Sequence, residues 1–129
     1  MFGNILTKKH CDMKVIYIAH PISGDIDGNL KKIVQIAREI NLNELETVPV
    51  ANYFLDCHAL DDTNLLERER GIKNDTELFK RGYIDEVRLY GSRISQGMVA
   101  EIQLAQSLSI PVVPMTYETK QIFQMLNDV

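Results

Sequence analysis

The sequence predicts an α/β domain of the three-layer α/β/α kind, flavodoxin- or Rossmann-like, with a four- or five-stranded parallel sheet. Short apolar runs rich in β-branched residues alternate along the chain with longer segments of helical periodicity. This alternation is typical of parallel strands joined by right-handed helical crossovers. The length of 129 residues fits a single domain. We assign residues 1–13 to a polar leader and residues 14–129 to the domain.

The first apolar run, residues 14–19, predicts a central strand that is buried on both faces, with Tyr17 in its middle. A turn with exposed amides follows. In α/β folds the turn between the first strand and the first helix commonly holds a phosphate or a ribose. We therefore take this turn as a candidate substrate-binding segment, with His20, Pro21, Ser23 and Gly24 as its members.

The next segments predict a helix, a short strand and an irregular loop. Residues 29–40 form an amphipathic helix that either Asp25 or Asp27 could cap, and residues 47–50 form the second strand. Residues 51–62 show no clear periodicity, which favours a functional loop. Its aromatic pair, Tyr53 and Phe54, could stack on a flat ligand or anchor the loop, and we favour the anchor. The predicted inner face of the helix consists of Leu30, Ile33, Val34, Ala37 and Ile40.

A second helix over residues 64–81 carries a carboxylate within its apolar face. Asp75 lies in that face, and it is either an edge residue paired with a cation or a functional acid. We expect Asp62 or Thr63 to cap this helix. The predicted inner face comprises Leu65, Ile72, Thr76, Phe79 and Tyr83. Strands over residues 84–90 and 111–115 and a helix over residues 118–129 complete the domain.

The stretch between the third and fourth strands predicts a strand, a loop and a helix that begins near Ser95. Its buried stripe is Met98, Ile102, Ala105 and Leu108. Glu101 lies at the edge of this stripe. It could be a solvated or ion-paired residue near a helix N-terminus, or an acid aimed at the cleft above the carboxyl ends of the strands.

Composition excludes several classes of function. The net charge of −4 and the pI near 5.3 argue against binding to nucleic acid or to an anionic membrane. No apolar run is long enough to span a membrane, and the first residues do not resemble a signal peptide. Cys11 and Cys57 are isolated thiols, which favours a cytoplasmic protein, and no spacing predicts a metal site.

Three stretches together resemble the nucleoside 2-deoxyribosyltransferase superfamily. They are Tyr17 within residues 15–21, the pair Asn74-Asp75, and Gly97-Met98-Val99-Ala100-Glu101. The likeness covers residues 14–115. It is strongest to a small, largely uncharacterised bacterial and phage branch with a Ser-x-Gly-Met-x-x-Glu segment and a Leu-Asp-Asp loop, here Leu60-Asp61-Asp62.

The resemblance implies an N-glycosidic bond enzyme, a transferase or a hydrolase, that acts on a nucleoside or nucleotide. Glu101 would be its nucleophile, with Tyr17 and Asp75 as the other catalytic residues; Asp85 is an alternative match for the aspartate. Ser95, Gly97 and Met98 would join the first turn in binding substrate. The resemblance implies no metal and no cofactor, and it points to a homodimer or larger homo-oligomer. The alternative is a non-catalytic module that binds a nucleotide-like ligand.

Overall fold

The computed structural model describes residues 13–127. Most of the predicted leader, including Cys11, therefore lies outside the described residues. The strands are β1 (Lys14–Ala19), β2 (Thr47–Val50), β3 (Glu86–Leu89) and β4 (Val112–Pro114). The helices are α1 (Ile26–Asn43), α2 (Phe54–Ala59), α3 (Leu65–Lys80), α4 (Gln96–Ser107) and α5 (Tyr117–Asn127).

The four strands form one parallel sheet in the order β2-β1-β3-β4. Tyr17 on β1 pairs with Val50 on one side and Val87 on the other, so β1 is central as predicted. The chain runs from β1 to β2 on one side of it, and then crosses β1 to form β3 on the other side. The topological switch point therefore lies between β1 and β3, where open α/β sheets usually bind ligands.

Alternate residues of β1 point into two hydrophobic cores, one on each face of the sheet. Ile16 and Ile18 pack with α1 through Leu30, Ile33 and Ile40. Tyr17 and Ala19 pack on the opposite face with α3 and α4, whose buried residues there are Phe79, Met98, Ile102 and Ala105. This three-layer α/β/α arrangement is the predicted fold class.

Side-chain caps fix where three helices begin. The Asp25 carboxylate accepts from the Gly28 amide at 3.1 Å, and the Ser95 hydroxyl accepts from the Met98 amide at 3.3 Å. Both caps are as the sequence predicts. The cap of α3 is Asn64, whose side chain accepts from the Leu66 amide at 3.0 Å, and not Asp62 or Thr63.

Two predictions about packing are wrong. Residues 51–62 contain the helix α2, which is six residues long and too short to show a period. The predicted apolar faces are also too wide, because five of their members are exposed, namely Val34, Leu65, Ile72, Tyr83 and Leu108. In α3 the reason is its contact with α2 and the residue after it: a Cβ on Gly71 would lie 3.9 Å from Asp56 and 3.6 Å from Leu60. This side of α3 therefore faces inward, and Ile72 faces out. No helix within residues 13–127 has the length and apolarity needed to cross a membrane.

Candidate active site

Three residues from β1, α3 and α4 meet on one face of the sheet. The Tyr17 hydroxyl lies 3.0 Å and 3.1 Å from the two carboxylate oxygens of Asp75, and it also contacts Glu101 Oε2. These residues are separated by 58 and 84 positions in sequence from Tyr17, so only the folded domain brings them together. We call Asp75 and Glu101 the carboxyl pair, and Tyr17 the tyrosine that bridges it.

The Tyr17 ring is held rigidly, because it is fully buried between aromatic neighbours. Its centroid lies 4.6 Å from that of Phe79 and 5.8 Å from that of Tyr53. Tyr53 is itself fixed by a hydrogen bond of 2.7 Å that its hydroxyl donates to the Ile18 carbonyl. Tyr53 is therefore an anchor for its loop, as predicted. The bridging hydroxyl has little freedom to move away from the two carboxyl groups.

The environment of the pair favours its protonated form. Burial raises the pKa of the Glu101 carboxyl well above its ordinary value, and the neighbouring Asp75 charge raises it further. Burial likewise raises the pKa of Asp75, while hydrogen bonds with Glu101 and Tyr17 partly offset that effect. Two carboxyl groups this close retain one proton between them to a higher pH than an isolated carboxyl would. Glu101 and Asp75 therefore titrate together, and the retained proton belongs to the pair.

Tyr17 serves as a neutral donor beside the pair. Burial raises the pKa of its hydroxyl, and so do the nearby charges of Glu101 and Asp75. A neutral hydroxyl has one proton to donate and can accept in return. Tyr17 can therefore stabilise whichever carboxyl group is ionised, and its hydrogen bond lowers the pKa of both.

Neighbouring side chains distinguish the two candidate aspartates. Asp56 lies close enough to Asp75 to raise its pKa by charge repulsion, and Asp56 is held by a 3.1 Å hydrogen bond from the Asn74 amide. Asp85 instead accepts from the Val15 amide at 2.8 Å, at the start of β1. The first turn follows the carboxyl end of β1, so Asp85 lies at the opposite end of this strand. Asp75, and not Asp85, is thus the aspartate beside Glu101.

A second group of polar residues lines a cavity of about 520 Å³ at the carboxyl ends of β1, β3 and β4. Four of the predicted substrate-binding residues lie here, namely His20, Pro21, Ser23 and Gly24. They are joined by residues that the sequence did not predict as binding residues: Asp25, Asn29, Lys32, Gly91, Ser92, Arg93, Thr116 and Glu118. Residues of the carboxyl pair are not part of this lining. Glu101 therefore does not share this cavity with the first turn, contrary to expectation.

Contacts between three loops shape the cavity. A Cβ on Gly91 would lie only 2.6 Å from Pro21 Cδ, so the loops after β1 and β3 touch at the switch point. The Thr116 hydroxyl, from the loop after β4, donates to the Gly91 carbonyl at 2.8 Å. Arg93 Nη2 donates to the Ser23 carbonyl at 2.8 Å. Arg93 was missed because a single arginine in a loop carries no pattern, although it lies two residues before Ser95.

His20 is a neutral side chain of defined tautomer at the edge of this cavity. Its Nδ1 lies 2.7 Å from the Pro21 carbonyl oxygen, which can only accept, so Nδ1 carries the proton. Burial lowers the pKa of His20, and the positive charges of Lys32 and Arg93 lower it further, against the effect of the Pro21 carbonyl. His20 Nε2 is left as an acceptor.

The remaining predicted residues form the start of α4. Ser95 caps this helix, and the Met98 side chain is buried in the core. A Cβ on Gly97 would lie 3.9 Å from the Ser95 hydroxyl oxygen and would meet no other atom within 4 Å. Met98 thus contributes to packing, while Ser95 and Gly97 lie at the entrance to α4.

Other reaction chemistries find less support among the described residues. Residues 13–127 contain no cluster of His, Cys, Asp and Glu that could hold a metal ion. Burial raises the pKa of the Cys57 thiol to about 11, with repulsion from Asp62 and Asp56 adding to the effect. A thiol is mostly protonated under those conditions and is a poor nucleophile.

Comparison with known proteins gives two matches. Clostripain from Hathewaya histolytica is 33% identical over 85 residues, which is 66% of this chain but only 14% of clostripain. The chain therefore corresponds to a small part of that relative. No solved structure matches the chain at a comparable level of significance. Residues 14–115 match the family described as a domain of unknown function, DUF7768, and the chain belongs to that family.

Proposed function

We propose that the protein is an N-glycosidic bond enzyme of the cytoplasm that acts on a nucleoside or nucleoside monophosphate, with Glu101 as nucleophile. The observation that carries the proposal is the contact of one buried tyrosine hydroxyl with two carboxyl groups. Cleaving a glycosidic bond with retention needs a carboxylate that attacks the anomeric carbon and an acid that protonates the leaving group. A pair of carboxyl groups that shares one proton supplies both.

The first half of the reaction moves the shared proton. With the shared proton on Asp75, Glu101 is a carboxylate that the Tyr17 hydroxyl stabilises. As the bond from the anomeric carbon to the base nitrogen breaks, the bonding electrons leave with the base, and Asp75 donates the proton to it. A Glu101 oxygen then forms the ester bond to the anomeric carbon.

The second half reverses these roles. Asp75, now ionised, takes a proton from a water molecule or from an incoming base, which attacks the anomeric carbon. The ester bond breaks with its electrons returning to the Glu101 oxygen. Two displacements at the same carbon retain its configuration. Hydrolysis and transfer differ only in whether water or a second base attacks.

A second candidate function is a non-catalytic module that binds a nucleotide-like ligand. The cavity of about 520 Å³ favours this candidate, because the carboxyl pair is not among its lining residues. A ligand could occupy that cavity without contacting Glu101. Turnover separates the two functions.

The test is release of free base from a panel of nucleosides and 5′-monophosphates, measured by chromatography on the native chain and on Glu101→Gln. We expect base release from at least one compound and a loss of several orders of magnitude in the variant, because an amide cannot form the ester.

The matched control is Glu69→Gln, which makes the same substitution at an exposed position of α3. It should release base at the native rate. Full turnover in Glu101→Gln would exclude the covalent mechanism. Binding without turnover in the native chain, together with only an altered affinity in Glu101→Gln, would establish the binding module instead.

A further inference from the structure

The cavity at the β1/β3 switch point combines two cations without ion-pair partners. Among residues 13–127, ion pairs are made by Lys14, Arg68, Arg81 and Arg88, and by neither Lys32 nor Arg93. Both cations line the cavity. Two carboxylates, Asp25 and Glu118, also line the cavity, but neither forms an ion pair with Lys32 or Arg93.

The guanidinium of Arg93 is oriented by the protein but retains most of its donors. Its Nη2 donates to the Ser23 carbonyl at 2.8 Å and lies 3.5 Å from the Ser23 hydroxyl. A guanidinium has five N–H donors, so the others are available to a planar or tetrahedral oxyanion. The main-chain contact holds the group against the turn after β1, so less side-chain entropy is lost on binding.

The cavity is lined by two carboxylates, Asp25 and Glu118, as well as by the two cations. The Asp25 carboxylate accepts from the Gly28 amide as the cap of α1. Its negative charge therefore interacts favourably with the positive end of the helix dipole. Glu118 lies in the first turn of α5. Burial is the main cause of the lowered pKa of His20, and the charges of Lys32 and Arg93 lower it further, so both cations lie near this side chain. A neutral His20 adds no positive charge and can accept a hydrogen bond from a sugar hydroxyl.

We propose that this cavity binds the phosphate monoester of the substrate, and that Arg93 and Lys32 select phosphorylated over unphosphorylated nucleosides. This inference rests on the proposed function and names its substrate class as a nucleoside 5′-monophosphate. The volume of about 520 Å³ exceeds what a phosphate group needs and leaves room for part of the sugar. Gly24 and Gly91 place no side chain in this space.

The test is calorimetric binding of deoxynucleosides, their 5′-monophosphates and ribose 5-phosphate. Nucleosides and nucleotides are titrated into Glu101→Gln, which cannot turn them over, and ribose 5-phosphate into the native chain. We expect each monophosphate that binds to do so at least about ten-fold more tightly than its nucleoside, as expected for charge-assisted hydrogen bonds. Arg93→Gln and Lys32→Gln should each reduce that preference, and the double variant should abolish it.

Lys31→Gln is the matched control, because it removes the same charge from the neighbouring residue of α1, which does not line the cavity. It should leave the preference unchanged. All three positions are exposed, so folding is not at risk. Equal affinity for nucleoside and monophosphate, or a preference that survives the double variant, would overturn the inference.

The same data separate this inference from the proposed function. If ribose 5-phosphate binds and loses affinity in Arg93→Gln, but no base is released from any compound, the phosphate site stands and the glycosidic activity is excluded. If nucleosides and monophosphates release base with equal kcat/KM, the glycosidic activity stands and the phosphate site is overturned.

Discussion

The Tyr17 hydroxyl has one proton, yet its oxygen contacts both members of the carboxyl pair. Tyr17→Phe keeps the ring that packs on Phe79 and Tyr53 and removes only this contact. We expect kcat for base release to fall by about 10- to 100-fold with a smaller change in KM. The hydrogen bond from Tyr17 lowers the pKa of both carboxyl groups, so the acidic limb of the pH–rate profile should move to higher pH.

Phe54→Leu is a suitable control for general loss of aromatic packing, since Phe54 packs in the core on the other face of the sheet. It should leave the position of the pH profile unchanged. A native profile in Tyr17→Phe would mean that the hydroxyl does not act on the pair.

Raised pKa values in the folded protein also predict how stability depends on pH. The unfolded chain releases the proton of Glu101 near its ordinary pKa of 4.5, whereas the folded chain retains it to higher pH. The folded state therefore binds more protons in this window, and the free energy of unfolding falls as pH rises from about 4 through the folded pKa.

Glu101→Gln removes this ionisation, so it should raise the free energy of unfolding at pH 7 relative to the native chain. Thermal unfolding at pH 7 and pH 4 measures the effect, and the gain should vanish at pH 4. Glu69→Gln should give no such difference. A variant less stable than the native chain at pH 7 would contradict the raised pKa.

At the scale of single residues, the sequence predicts Glu101 and Asp75 because each interrupts an apolar face, and Tyr17 through the resemblance. Arg93 and Lys32 could not be found in this way. Nothing in their local pattern shows that a loop and a helix converge on one cavity, because that depends on how β1 and β3 pair.

At the scale of elements, the turn after β3 is constrained more tightly than any other glycine-containing turn described. Gly91 has a φ of 91°, and a Cβ there would clash with Pro21. Gly91→Ala should therefore destabilise the protein by about 1–2 kcal/mol from the backbone conformation, with a further cost from the clash of roughly 1–3 kcal/mol.

Gly82→Ala isolates the first of these effects, because Gly82 has a φ of 81° with nothing within 4 Å of its Cβ position. Chemical denaturation of both variants measures the two costs. If the two variants are equally destabilised, the loops after β1 and β3 do not touch as described.

Strands and long helices were predicted within a few residues, because their periodicity and caps are local properties. The sequence does not predict the helix α2 or the orientation of α3. α2 has fewer than two turns, and the orientation of α3 depends on its contact at Gly71 with the segment that ends α2.

At the scale of the whole molecule, the protein is expected to form a homo-oligomer. Met115 and Met125 are exposed, whereas Met98 is in the core. Exposed apolar side chains also occur on α3, where Leu65, Leu66 and Ile72 are 68%, 77% and 58% exposed, and we expect the interface there. We expect light scattering to give at least a dimer, and Ile72→Lys to shift it toward monomer.

Met125→Lys makes a similar change on α5, where the side chain is also exposed, and should leave the oligomer intact. A monomeric native chain at high concentration would contradict the prediction. A monomer from Met125→Lys alone would place the interface on α5.

The half-buried carboxyl pair also has an evolutionary consequence. Ionisation of Asp75 and Glu101 opposes folding. Substitution of either residue by an amide or an apolar residue should therefore increase the stability of a protein in which no reaction is under selection. Lineages that use this fold only to bind a ligand should therefore lose both acids quickly, and lose them together, since one acid without its partner has no shared proton to move. If the proposed function holds, we expect chains that keep both acids to be those in which the reaction is under selection.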